Sequence, residues 1–129
     1  MLADALAEKG AVGWLRNIPR QDWSFCVPYE LDGEDRALFP DFLVFRKSGS
    51  KLTVDVYEPH AKAFDDGWAK AVGLAKFARD HGDQHFGRIE LITKVGQKMK
   101  RLNVNDPVVR KKVLAVSNNQ HLQQLFEEA

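Results

Sequence analysis

Three short strand-like runs, divided by two turn signals and closed by a proline, constrain this chain more than any other feature. Residues 23–31 place Trp23, Phe25, Val27, Tyr29 and Leu31 on one side and Ser24, Cys26, Pro28 and Glu30 on the other. A period of two belongs to a strand with one face in water. Pro28 has no N–H to give a neighbour, so this strand is expected near a sheet edge. Asp32-Gly33-Glu34-Asp35 is a turn signal, and residues 38–46 form a second strand with apolar side chains on both faces. Lys47-Ser48-Gly49-Ser50 turns the chain into a third strand, residues 52–57, which Pro59 ends. The economical arrangement is a three-stranded antiparallel meander.

The flanks read as helices and one more strand. Residues 2–16 carry Leu2, Ala5, Leu6, Val12 and Leu15 at a ragged helical spacing, weakened by Gly10 and Gly13 and stopped at Asn17-Ile18-Pro19. Asp65-Asp66 precedes a stripe of Trp68, Ala71, Val72, Ala75 and Ala78, with Arg79 and His81 in the last turn and Gly82 as a C-cap. Residues 88–93 make a fourth strand. A basic segment follows, and then an amphipathic helical region at about 107–127, opened by Asp106 as N-cap and Pro107 at the first helical position. The expected fold class is α/β (α+β): helix, three-stranded meander, helix and strand on one mixed sheet, with a C-terminal helical extension. One domain over residues 1–129 is expected, with its core at about 2–94 and the extension at about 95–129.

Composition narrows the function classes. A chain of 129 residues that is 44% hydrophobic can bury one sizeable core. Nineteen Lys and Arg against eighteen Asp and Glu neither require nor exclude a nucleic-acid partner, so charge distribution has to decide. The single Cys26 cannot form an internal disulfide, and one Cys with scattered His lacks the clustering of a zinc site. No apolar run approaches a membrane span and no secretory leader is legible. A soluble, cytoplasmic domain is expected. Met1 fits either a natural start or one added to a fragment.

The candidate chemistry lies on the second and third strands. Asp41 shares a face with Phe39, Leu43 and Phe45, a costly place for a carboxylate that has no cation or donor. Fourteen residues later Asp55 points to the same side as Thr53 and Tyr57, opposite Leu52, Val54 and Val56. On neighbouring strands, Asp41 and Asp55 would repel each other unless a cation relieved them.

Trp14-Leu15-Arg16-Asn17, Val27-Pro28-Tyr29, Phe39-Pro40-Asp41-Phe42-Leu43-Val44 and Thr53-Val54-Asp55-Val56-Tyr57 together resemble the PD-(D/E)XK nuclease superfamily. More narrowly, they look like the nuclease-like domains that follow helicase modules in restriction-type subunits and DNA-processing helicases. The resemblance covers roughly residues 8–94. It implies phosphodiester hydrolysis in which Asp41 and Asp55 hold magnesium (or manganese), Glu8 on the first helix adds a ligand, and a lysine activates the attacking water. Tyr57 stands where that lysine belongs. Its phenol, with an ordinary pKa of about 10, supplies no cation at pH 7. Lys70 is the leading replacement and Lys62 the second, with His60 a further candidate for metal or phosphate. DNA is the implied partner, with a helicase module in cis or in trans.

Other signals compete with this reading. Lys94, Lys98, Lys100, Arg101, Arg110, Lys111 and Lys112 crowd one segment with Asp106 as the only acid, a candidate phosphate-binding stretch whose alternative is a solvated helix face. Trp14, Trp23 and Trp68 sit in apolar patterns, which favours core packing over base stacking. A degenerate nuclease fold that binds DNA or docks to a partner is the main alternative function. A protein-interaction domain using Leu122, Leu125 and Phe126 is a third.

Overall fold

A computed structural model describes residues 10–60 and 66–129. Among the described residues ten elements follow one another: strands β1 (Ala11–Arg16), β2 (Val27–Leu31), β3 (Glu34–Leu38), β4 (Phe42–Ser48) and β5 (Lys51–Pro59), helix α1 (Gly67–His81), strands β6 (Phe86–Val95) and β7 (Lys98–Asn103), and helices α2 (Pro107–Leu114) and α3 (Asn119–Glu128). This is an α+β architecture on a mixed five-stranded sheet of order β1-β4-β5-β6-β7, beside a separate β2–β3 hairpin. The sheet is antiparallel except between β5 and β6, which run parallel and are bridged by α1.

The expected meander of consecutive strands is not what forms: β1, β4 and β5 lie side by side and antiparallel, with the β2–β3 hairpin inserted in the chain between β1 and β4. Residues 11–16 form β1, paired with β4, instead of continuing a helix. Gly10 and Gly13 each weaken a helix by about 1 kcal/mol, whereas Val12, Trp14 and Leu15 suit a pleated edge. The rest of the expected first helix, including Glu8, lies outside the described residues, as does Lys62.

Residues 23–26 are not in a strand either. Asn17 clasps the loop instead, donating from Nδ2 to Phe25 O (2.6 Å) and accepting from Phe25 N (2.9 Å). The 38–46 run is divided at Pro40-Asp41, where the chain leaves the hairpin and enters the main sheet. Its first residue belongs to β3, which pairs with β2 across a two-residue turn, Asp32-Gly33, with positive φ at both positions.

Helices and hairpin cover one face of the sheet. Val27, Tyr29, Leu38, Leu43, Val56, Leu74, Ile89, Leu91, Val113, Leu122 and Phe126 form the main core there. The hairpin reaches α1 because position 73 has no side chain: a Cβ on Gly73 would lie 2.4 Å from Tyr29 Cβ and 2.8 Å from Pro28 O. The 107–127 region is two helices. Asn118 caps the second by accepting from His121 N at 2.8 Å, while Asp106 caps α2 as expected, accepting from Val108 N at 2.9 Å. Asp66 precedes α1 without capping it, and Asn119 Oδ1 takes the Trp68 N–H instead, at 2.9 Å. Leu122 and Phe126 are fully buried and Leu125 packs against them, so this stripe is core and not a partner face.

Candidate functional site

Strand parity decides which carboxylates meet. Leu43 and Phe45 of β4 face the core beneath α1, as do Val54 and Val56 of β5. Asp41 and Glu58 share their parity. Phe42 pairs with Tyr57, so one step back along β4 sets Asp41 opposite Glu58. Both acids line a cleft of about 490 Å³ together with His60 and Lys70. The site lies at the carboxyl end of β5, just before the crossover to its parallel neighbour, where open sheets of this kind form ligand crevices.

The electrostatics of this cleft are strained. Glu58 is 9% exposed, and its pKa is raised to about 8, first by burial and then by the negative charge of Asp41, with Lys70 partly offsetting both. At neutral pH its carboxyl therefore holds a proton, which a cation in the cleft would displace. Lys70 Nζ lies 3.7 Å from Asp66 Oδ2, and Tyr29 Oη donates to that same oxygen at 2.8 Å. Burial and the adjacent Asp66 raise the Tyr29 pKa, so its phenol keeps the proton it donates. The His60 ring stacks on Phe126 with centroids 5.4 Å apart, close under Gly67 of α1.

Asp55 is elsewhere. It is 2% exposed on the opposite face of the sheet, paired with Arg46 Nε, and accepts from Arg88 N at 2.8 Å and from Tyr57 Oη at 3.2 Å. Arg46 Nη2 also donates to Tyr57 Oη at 3.2 Å. Burial opposes the Arg46 charge, but the hydrogen bonds to Asp55 and Tyr57 outweigh it and raise the pKa. Burial raises the pKa of Tyr57 too. The pairing of Asp41 with Asp55, with Tyr57 beside them, is thus corrected to Asp41 with Glu58. A carboxylate satisfied by one guanidinium, one amide and one phenol has no need of a metal.

The basic segment does not form one surface. Lys94 and Arg101 lie on the far face of the sheet, Arg101 Nη1 at 3.7 Å from Glu90 Oε2. Lys98 and Lys100 turn to the helical face, where Lys100 Nζ donates to Ala129 O at 2.6 Å. Lys111 and Lys112 sit in the last turn of α2, where a cation suits the helix dipole.

Two tryptophans expected in the core are at the surface: Trp14 is 50% and Trp23 52% exposed. Glu58 was the acid missed in the sequence. Its parity with Val54 and Val56, the same as that of Asp41 with Leu43 and Phe45, was the signal that could have found it.

No helix among the described residues is long and apolar enough to cross a membrane. Comparison with curated proteins and with solved structures gave no match. One protein-family model, that of the YagJ family, matches residues 1–129 in full, and the chain belongs to the YagJ family.

Proposed function

We propose that this chain is a nucleic-acid phosphodiesterase whose divalent cation is held by Asp41 and Glu58, with Lys70 facing the charge that develops on the phosphate. The observation that carries this reading is the convergence of two carboxylates and a lysine in one cleft at a strand end. Two carboxylates suit magnesium or manganese, which take oxygen ligands and keep several waters beside the substrate phosphate. Among the described residues no group of three or more His, Cys, Asp and Glu is gathered for a metal, so water and phosphate would complete the shell. A cation bound there lowers the pKa of an attacking water and neutralises charge on the phosphoryl group. Asp41 and Glu58 would hold the cation, with Glu58 losing its proton to solvent water as the cation binds. Lys70 and His60 orient the phosphate, His60 standing two residues beyond the second acid, where the PD-(D/E)XK pattern carries its lysine.

The order of elements also supports a restriction-endonuclease-like core: antiparallel β1, β4 and β5, crossover α1 and parallel β6. DNA is the first substrate to try, and a helicase module in cis or in trans is the natural companion. Plasmid and single-stranded DNA with magnesium or manganese should be cut by the wild type. Glu58→Gln and Lys70→Ala should each lose about a hundred-fold or more in rate, as removal of one acid-base or electrostatic group does. Undiminished cutting by Glu58→Gln would end the proposal. The degenerate reading draws support from the proton held on Glu58 and from Lys70 leaning on Asp66, and strand binding without cutting under either metal would favour it.

A further inference from the structure

The loop of residues 17–25 leaves β1 beside the cleft, and its neck is doubly tied. Asn17 N donates to Asp41 O at 2.8 Å, so the loop is anchored on the residue that carries one of the two acids. The Asn17 side chain, 3% exposed, closes the loop onto both backbone groups of Phe25. Inside it, Gln21 N donates to Ser24 Oγ at 2.8 Å, Ser24 N donates to Gln21 O at 3.0 Å, and Ser24 Oγ donates to Ile18 O. So much internal bonding makes the loop a firm platform. It nevertheless presents Ile18 (49%) and Trp23 (52%) to solvent, and Arg20, in a left-handed backbone conformation, lines the cleft.

An exposed indole on an internally bonded loop, three residues from an arginine that lines a cleft with two acids and a lysine, matches the chemistry of an unpaired nucleic-acid strand. Bases stack on aromatic faces whatever their identity, and arginine holds the phosphates between them. A duplex hides its base faces, so Trp23 offers it nothing comparable. The geometry points to this loop as the strand-binding element of the protein: Trp23 stacks a base of single-stranded DNA or RNA and Arg20 holds the phosphate that leads toward Asp41. Asp22 is the loop's one acid and sits between the two. From the proposed function this takes only that the ligand is a nucleic acid.

The test is fluorescence anisotropy of the full chain with a labelled oligothymidylate of about twelve nucleotides, within the usual span of single-strand sites, in EDTA so that no turnover enters. Trp23→Ala should weaken binding at least about five-fold, the lower bound for losing one base stack, while Trp23→Phe retains most of it. Arg20→Gln should weaken it too and lower the slope of log affinity against log salt by about 0.7. A blunt duplex of the same length should bind more weakly and ignore the Trp23 change. Wild-type affinity in Trp23→Ala, or no binding of the wild type at low salt, overturns the inference; the second result would leave the exposed residues to a protein partner. Strand binding that depends on Trp23, with no hydrolysis under any metal, sinks the catalytic proposal alone.

Discussion

Glu58 shapes the pH response of this molecule, and under the proposed function its chemistry as well. Its folded pKa of about 8 stands against an ordinary value of 4.5. The folded state therefore binds more protons than the unfolded chain between those two values. A raised pKa means the contribution to stability is complete below about pH 4.5 and is lost as pH climbs through about 8. Each tenfold difference in proton affinity between the folded and unfolded chain is worth about 1.4 kcal/mol, so several kcal/mol are at stake. Urea unfolding of Glu58→Gln at a series of pH values should show a flatter profile than wild type and greater stability near pH 9. A profile parallel to wild type would mean that Glu58 is solvated. The sequence held the information needed to select this residue, since parity along β4 and β5 separates Glu58 from Asp55 by a full face of the sheet. The motif pairs Asp55 with Asp41, although Asp55 points away from Val54 and Val56 while Asp41 shares the face of Leu43 and Phe45.

Among the elements, the β2–β3 hairpin and α1 depend on each other. Tyr29 of the hairpin reaches Asp66, which in turn lies within ion-pair distance of Lys70, so hairpin docking sets the position of the cleft's lysine. Gly73 allows the approach. On an open helix face Gly→Ala would stabilise by up to about 1 kcal/mol, but here the added carbon would sit 2.4 Å from Tyr29 Cβ. Overpacking of this kind costs about 1–3 kcal/mol, so the clash decides the sign. Gly73→Ala should lower the thermal midpoint and shift the Lys70 resonances in NMR spectra, whereas a rise in midpoint would show that the hairpin yields easily. Turn chemistry at Asp32-Gly33 and the cap at Asp106-Pro107 were legible because both are local. The true partners of β1 and β3 were not, because pairing depends on residues far along the chain. Lys98–Asn103 likewise read as a charge cluster, although its pairing with β6 makes it a strand.

For the molecule as a whole, the five-stranded sheet separates two kinds of acid. Asp55 stabilises the far face through Arg46, Tyr57 and the Arg88 amide, while Asp41 and Glu58 open to the cleft. Asp55→Ala leaves the Arg46 guanidinium buried without its counterion, a loss of about 3–5 kcal/mol for a buried pair. Denaturant melts should show that drop. Any hydrolysis should survive it when expressed per folded molecule, and a loss of hydrolysis in folded Asp55→Ala would return Asp55 to the site. From the sequence alone came the α+β class, the mixed sheet, the helix after the third strand and the choice of Asp41 as a candidate acid. These follow from periodicity, turn residues and the cost of a lone carboxylate among apolar neighbours, all of which act over a few residues. The fold alone decided that Leu122 and Phe126 are core, that the basic residues disperse and that Trp23 faces solvent. Register and the choice of covered face are settled by contacts between distant segments, and no local pattern carries that information.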